Sequence, residues 1–564
     1  MKLLDFKITS WILYLTFFVQ LSYANNLQVS GITLTNKNTV NHSVFVQFNL
    51  SWENSWRLNT APANWDAAWI FIKYRVNGGL WNHASISSND ADHVAPSDAF
   101  VDAANDGKGA FIYRSETGSG NNSWNSIQLK WLYGVDGVDD NSLNIEIRVF
   151  GIEMVYVNQG NFYVGDGLDT YKRLFNANAV NPDPLYALIG PNPVTLKVLT
   201  NDFDDNALET SGILVDGDGG IDTLGNTTLN NPNFPTGYHA FYCMKYEISQ
   251  EQYAAFLNTL TRTQQDRRVY RDLTGVVLSN PFAMSHLNGV ERRNGIYAVN
   301  TSGDAVSPVT FYCNVDTAGN NINLYNQPTD GQNLGGSYIS WLDGTAYADW
   351  AALRPMTELE FEKACRGPEI PIQNEFAWHS TSIINSGIYT FSTATLNTDS
   401  EYMLNPATNG TTANAAYANT TGHASSHPGS IQTMLRTGIF ATSSTNRISA
   451  GASYYGIMEL SGMLNERCVT IGVGRGRQFM GTHGDGILDF TSGREGNATN
   501  TDWPGVDLNK ETFGANYVQN GAGYKGGDWN DASTTLEVSD RYYTSLDPFG
   551  PNIGAGFRCV RTAN

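Results

Sequence analysis

The pattern of hydrophobic and polar positions divides the chain into two parts. From residue 25 to about 151 it reads as all-β. Val44 to Leu50 alternates in part between apolar and polar positions, as a half-buried strand does. Trp69 to Val76 is a longer apolar run. It enters Asn77-Gly78-Gly79 and leaves through Leu80-Trp81, a hairpin signal. Ser126 to Tyr133 predicts another strand. Leu143, Ile145, Ile147 and Val149 alternate with Asn144, Glu146 and Arg148, which predicts a strand with one buried face. Turn-rich segments separate these runs, and the pattern predicts a β-sandwich of immunoglobulin-like type over residues 25–151.

Beyond residue 152 helical spacing enters. Ser249 with Gln252 makes a capping box, and Tyr253, Phe256 and Leu257 form the apolar stripe of a helix. Ser340 opens a second helix that carries Tyr347 and Trp350. Thr357 opens a third, with Glu360 placed to reach back and Leu359 and Phe361 facing inward. Two insertions rich in Asn, Asp, Gly, Ser and Thr, near 168–235 and 370–450, interrupt this part.

The first 24 residues change the cellular setting. Lys2 and Lys7 precede an apolar run from Trp11 to Val19, and Ser22 and Ala24 supply small residues before a cleavage point at Asn25. This predicts a secretory signal. The apolar run is short of the roughly 20 residues that span a bilayer, and no later stretch is long enough. The expected location is extracytoplasmic: secreted, periplasmic or at the cell surface. Of the 564 residues, 54 are acidic and 34 are Lys or Arg, a net charge of −20. Such a surface argues against nucleic acid and anionic lipid as partners. The five cysteines are Cys243, Cys313, Cys365, Cys468 and Cys559. No Cys-x-x-Cys pair occurs, which removes a zinc ribbon or thioredoxin-like motif.

Several blocks of the second part form a series. Met154 to Gly165 reads MVYVNQGNFYVG, and Tyr246-Glu247-Ile248-Ser249 opens the first helix. Arg354 to Gly367 reads RPMTELEFEKACRG. Tyr455 to Arg467 reads YGIMELSGMLNER. The closing segment, Tyr524 to Arg561, holds a Gly-Gly turn, an Arg-Tyr-Tyr strand and Gly-Phe-Arg-Cys. In this order the blocks resemble the formylglycine-generating-enzyme, or sulfatase-modifying-factor, family. The resemblance implies an α+β domain of the C-type-lectin-like variety over residues 152–564.

What the resemblance implies about chemistry is mixed. In that family a cysteine pair in the loop after Gly-Gly binds copper and oxidises a substrate cysteine. The matching positions here are about Asp531 and Leu536, so no copper is expected. Cys365 and Cys559 match one member of each disulfide of the animal enzymes. The partner positions are about Arg541 and Ala348, so those pairings are not expected. The family's calcium turn maps onto the carboxylates of Glu459 and Glu466 and the carbonyls of Gly462 and Leu464, an oxygen set suited to a hard cation. The loop residues Asp528, Trp529, Asn530 and Asp531 are the candidates for lining a ligand cleft. Asp216 to Asp222, with alternate carboxylates, reads as a turn, and His423 with His427 as a surface loop. Arg541 and Arg558 are expected to pair with core carboxylates.

The expected function is non-catalytic binding or structural assembly, with a protein or glycan ligand at the cell surface. One alternative is an oxidoreductase of the same superfamily with an iron-type centre. Another is glycan binding through the Trp-rich first part, where Trp52, Trp56, Trp65, Trp69, Trp81, Trp124 and Trp131 lie. Core packing is the competing reading of those seven side chains.

Overall fold

The computed structural model describes residues 26–142, 144–168, 174–176, 186–192, 195–198, 227–228, 231–287, 289–316, 324–385, 388–421, 433–472, 474–507, 521–544 and 552–564. The expected leader at 1–24, the Asp216 to Asp222 run and the His423/His427 pair lie outside these residues. No helix among them is long and apolar enough to cross a membrane.

The N-terminal part contributes β1 (Gln28–Asn38), β2 (Ser43–Arg57), β3 (Asp66–Val76), β4 (Ala99–Ala103), β5 (Ala110–Arg114), β6 (Gly118–Trp131) and β7 (Ile145–Val157). β1, β2 and β6 form a three-stranded antiparallel sheet. Its inner residues, Val46, Phe48, Leu50, Ile127, Leu129 and Trp131, meet Ala68, Ile70, Ile72 and Ile112 from β3 and β5 in one core. The second part adds β8 (Phe241–Met244), β9 (Arg354–Thr357), β10 (Glu466–Val469), β11 (Ala522–Lys525) and β12 (Cys559–Thr562). Its main helices are α1 (Gln250–Leu257), α2 (Arg262–Arg267), α3 (Trp341–Trp350) and α4 (Glu358–Arg366). Helices are few and short, and the structure is mostly sheet and irregular chain.

One sheet joins the two parts. Its order is β11-β10-β9-β12-β8-β7-β3-β5-β4, with Asn82–His83 pairing on β3. β7 is the seam. It pairs antiparallel with β3 from Ile145 to Val155, and Met154 to Val157 pair with β8 on its other side. The division at 151/152 read from the sequence therefore falls inside a single strand. Local alternation reports which face of a strand is buried and does not report a change of partner.

β3 explains why the two parts share a core as well. Its even-numbered residues Ala68, Ile70 and Ile72 face the first core. Ala67, Trp69 and Phe71 enter a second core with Tyr242, Phe256, Tyr347 and Trp350. An apolar run with both faces covered is what a central strand requires. The rings of Phe71 and Trp350 meet edge to face at 5.0 Å.

The tryptophans follow the same logic. Trp52, Trp69, Trp124 and Trp131 are buried. Trp56 packs with the core around β8 and β12, and Trp65 stacks on Tyr156 at 4.0 Å. The guanidinium groups of Arg75 and Arg148 lie 4.7 and 4.4 Å from the Trp81 ring centre. These seven rings form no shared aromatic platform, and core packing accounts for most of them.

Candidate functional site

The turn expected to hold calcium and the loop expected to line a cleft form one unit. Gly462 donates its N–H to Gly526 O at 2.8 Å, and Trp529 donates to Met463 O at 2.9 Å. The Ser461 hydroxyl donates to Leu536 O at 2.7 Å, and the Asn465 amide donates to Asp528 Oδ2 at 2.9 Å. Gly462 is required here. Its φ is +95°, and a Cβ would stand 2.5 Å from Ala416 O.

In the turn, three buried glutamates surround one arginine. Glu466 Oε1 accepts from Arg558 Nε at 2.7 Å, and Arg558 also donates to the main-chain oxygens of Met244 and Met458. Glu459 Oε1 accepts from Gly438 N at 2.5 Å, and Glu247 Oε1 accepts from Leu464 N at 3.0 Å. The second carboxylate oxygen of each has no hydrogen-bond partner among the described residues. Burial raises all three carboxyls above their ordinary range, and their mutual repulsion adds to this for Glu247 and Glu459. Glu459 reaches about 7. Glu247 is the member of this group that the turn motif does not contain. Its signal is the Tyr-Glu-Ile-Ser block, which carries no information about a partner 217 residues away.

The donor set suits a hard cation in kind. The free oxygens of Glu459 and Glu466 are buried, and the carbonyls of Gly462 and Leu464 accept no main-chain hydrogen bond from the described loops and turns. Two features oppose it. Arg558 already neutralises Glu466, and among the described residues no three His, Cys, Asp or Glu side chains converge as a metal shell. Calcium here would rest on two carboxylates and two main-chain oxygens.

The loop after Gly526-Gly527 is closed by two carboxyl-bearing residues, Asp528 and Asp531. Asp528 N donates to Asp531 Oδ2 at 3.0 Å, and Asp531 N donates to Asp528 O at 3.1 Å. Burial, then the charge of Asp531, raises Asp528 to about 7. Asp528 is fitted tightly, since a Cβ at Gly554 would stand 1.6 Å from its Oδ2. Leu536 is fully buried.

Trp529 does not line an open cleft. It is 2% exposed. The stretch read as the 370–450 insertion covers it: Tyr389, Met403, Ala416, Met434, Leu435 and Phe440 share its core with Met463 and Leu464. Hydrogen bonds fix that cover. The Thr421 hydroxyl donates to Trp529 O at 2.6 Å, Ala418 N donates to Asp531 O at 3.0 Å, and Met463 N donates to Ala416 O at 2.9 Å. Asn530 and Asp531 keep partial exposure.

Residues 202–563 match the model of the sulfatase-modifying factor enzyme 1-like domain. The chain belongs to that family. No curated relative matches it. The family match begins after β7, so the strand read as the family's opening lies before it. Within the sulfatase-modifying-factor domain, Arg541 pairs with Glu358 at 2.6 Å and Arg558 with Glu466, two buried ion pairs. All five cysteines are free and buried. Burial pushes the Cys243 thiol up to about 12 and the other four well above the ordinary range. Such thiols are poor nucleophiles and poor metal ligands.

Proposed function

We propose that this protein is a non-catalytic member of the sulfatase-modifying-factor family, exported from the cell, that serves binding or assembly outside the cytoplasm. One observation carries the reading. The loop where the family places its cysteine pair holds Asp531 and Leu536, and Tyr389, Met403, Met434 and Phe440 pack over its Trp529. Among the described residues, a substrate peptide would find at that loop neither a cysteine thiolate nor an open cleft. Binding falls to surfaces outside that cleft, with a protein or glycan as the partner class.

Calcium belongs to this reading as a structural ion. Glu459 and Glu466, with the carbonyls of Gly462 and Leu464, would hold it and tie the turn to the closing loop. The finer fold assignment, an α+β lectin-like domain behind an immunoglobulin-like sandwich, is part of the same proposal. It draws on the motif order and on the two sheets that enclose the first core. The iron-type oxidoreductase alternative gains no support, because the described residues offer no converging His and carboxylate shell.

Metal analysis of the purified full chain tests the proposal. It is expected to retain calcium at up to one equivalent and neither copper nor iron. Stoichiometric copper or iron that survives dialysis would overturn it.

A further inference from the structure

A groove of about 290 Å³ runs along the junction of the two parts, between β3 with its hairpin and the 485–490 loop. Its lip is apolar and open to solvent. Leu80 is 54% exposed, Ile487 54% and Phe490 58%, and the Trp81 ring stands beside them. Three large apolar side chains gathered at one mouth are unusual on a chain this polar, where single exposed hydrophobics are the norm.

The floor has the opposite character. Lys73 is 1% exposed and makes no ion pair among the described residues. Its amine donates to Gly486 O at 3.2 Å, and the Trp350 ring lies 5.5 Å away. An ammonium has three donors, so this one is under-used. Lys108 adds a second positive charge to the lining. Three acids lie nearby and none forms an ion pair with Lys73: Asp349, whose charge favours the ammonium most, accepts from Asp485 N and Gly486 N at Oδ1 and from Thr499 N at Oδ2. Asp136 Oδ2 is held by Trp131 Nε1 and Ser85 N, and Asp485 Oδ1 caps the N–H of Ile487. His83 gives Nε2 to Lys108 O. Its burial, and Lys73 beside it, keep the imidazole neutral. A buried cation that no carboxylate contacts directly is costly, and an incoming anion relieves that cost.

We propose that this groove binds a small apolar carboxylic acid, its alkyl part on Leu80, Trp81, Ile487 and Phe490 and its carboxylate on Lys73. The volume suits a medium-length acyl chain and excludes a folded partner. Burial holds Lys73 down at about 7 in the absence of such an anion. A bound carboxylate would hold the ammonium charged.

Calorimetric titration of the full chain with decanoate, decanol and decylamine tests this. Decanoate is expected to bind at one site, with decanol weaker by roughly tenfold or more, since a charge-assisted hydrogen bond is lost. Lys73→Met should bring decanoate down to the level of decanol. Phe490→Asp, on an exposed position that leaves the fold alone, should weaken decanoate by a similar factor. If Lys73→Met fails to fold, the ratio of decanoate to decanol on the native chain and the Phe490→Asp result decide the matter. Equal binding of decanol, tighter binding of decylamine, no saturable binding of decanoate, or decanoate binding untouched by Phe490→Asp would each overturn the assignment. Tighter binding of an apolar tripeptide through its C-terminal carboxylate would overturn the choice of a free acid.

Discussion

Trp69 donates its indole N–H to the main-chain oxygen of Ala351 at 2.8 Å, from the central strand of the N-terminal part to the residue after α3 of the family domain. Both groups are buried. Breaking the bond strands a polar group on each side, a loss of about 1–3 kcal/mol for each. Truncating the indole adds a cavity, and Trp69→Ala is expected to destabilise by about 3–5 kcal/mol. Denaturant unfolding of the variant beside the native chain measures the difference.

A larger consequence concerns the division of the chain. A protein starting at residue 153 would lose β3 and leave Met154 and Val155 without their pairing partners Ala67 and Asp66. It is expected to aggregate, and the full chain to melt in a single transition. Two resolved calorimetric transitions, or a soluble and cooperative protein starting at residue 153, would contradict the shared core.

The turn proposed to hold calcium is best probed at Glu459. Removing Glu466 would leave Arg558 buried and unpaired, which destabilises by about 3–5 kcal/mol whether or not a cation binds. Glu459→Gln keeps an acceptor for Gly438 N and removes one charge. Ligand at a hundredfold excess over its dissociation constant stabilises by about 2.7 kcal/mol. Chelation should therefore lower the melting temperature of the native chain by a few degrees and leave Glu459→Gln unmoved. The effect should be larger at pH 8 than at pH 5, because the Glu459 carboxyl, raised to about 7 by burial, is protonated at the lower pH. An unchanged melting curve on chelation at pH 8 counts against the ion.

Asp528 makes stability depend on pH in a definite direction. Its folded value, about 7, lies above the ordinary 3.8. The stability it contributes is complete below about pH 4 and is lost as pH rises through 7, with a slope of about 1.4 kcal/mol for each pH step between those values. Asp528→Asn is expected to flatten this fall and to stabilise the protein at pH 8 relative to the native chain. The Asn465 amide can turn its unpartnered Oδ1 toward the new amide. Denaturant unfolding at pH 5 and pH 8 measures it. An undiminished pH slope in the variant would show that Asp528 is not the source.

The thiols offer a simple chemical check. All five are buried and free. A thiol reagent such as dithionitrobenzoate should titrate five groups in denaturant and react slower by about a hundredfold or more in the native protein, because the reactive thiolate is scarce and enclosed. A fast native-state thiol, or fewer than five after denaturation without reductant, would contradict the structure.

Much of the fold is legible in the sequence because its signals are local. The capping boxes at Ser249, Ser340 and Thr357 each form as their residue types require. β2, β3, β6 and β7 each include a run that alternation or apolar content marks as strand. What stays hidden depends on distant partners. Nothing near Gly151 shows that β7 changes neighbours. Trp529, next to a Gly-Gly turn, has the look of an exposed cleft residue, and only the packing of Tyr389, Met434 and Phe440 over it shows otherwise. The role of Glu247 depends on Leu464 in the same way.

On the proposed reading this family scaffold performs no cysteine oxidation, because its closing loop carries Asp531 and Leu536 and its Trp529 lies beneath Tyr389, Met434 and Phe440. Incubating the full chain with a sulfatase-type cysteine peptide, copper and a reductant, with mass spectrometry of the product, tests it most directly. The peptide is expected to keep its thiol. Appearance of the aldehyde product above the level without protein would show that the scaffold is catalytic.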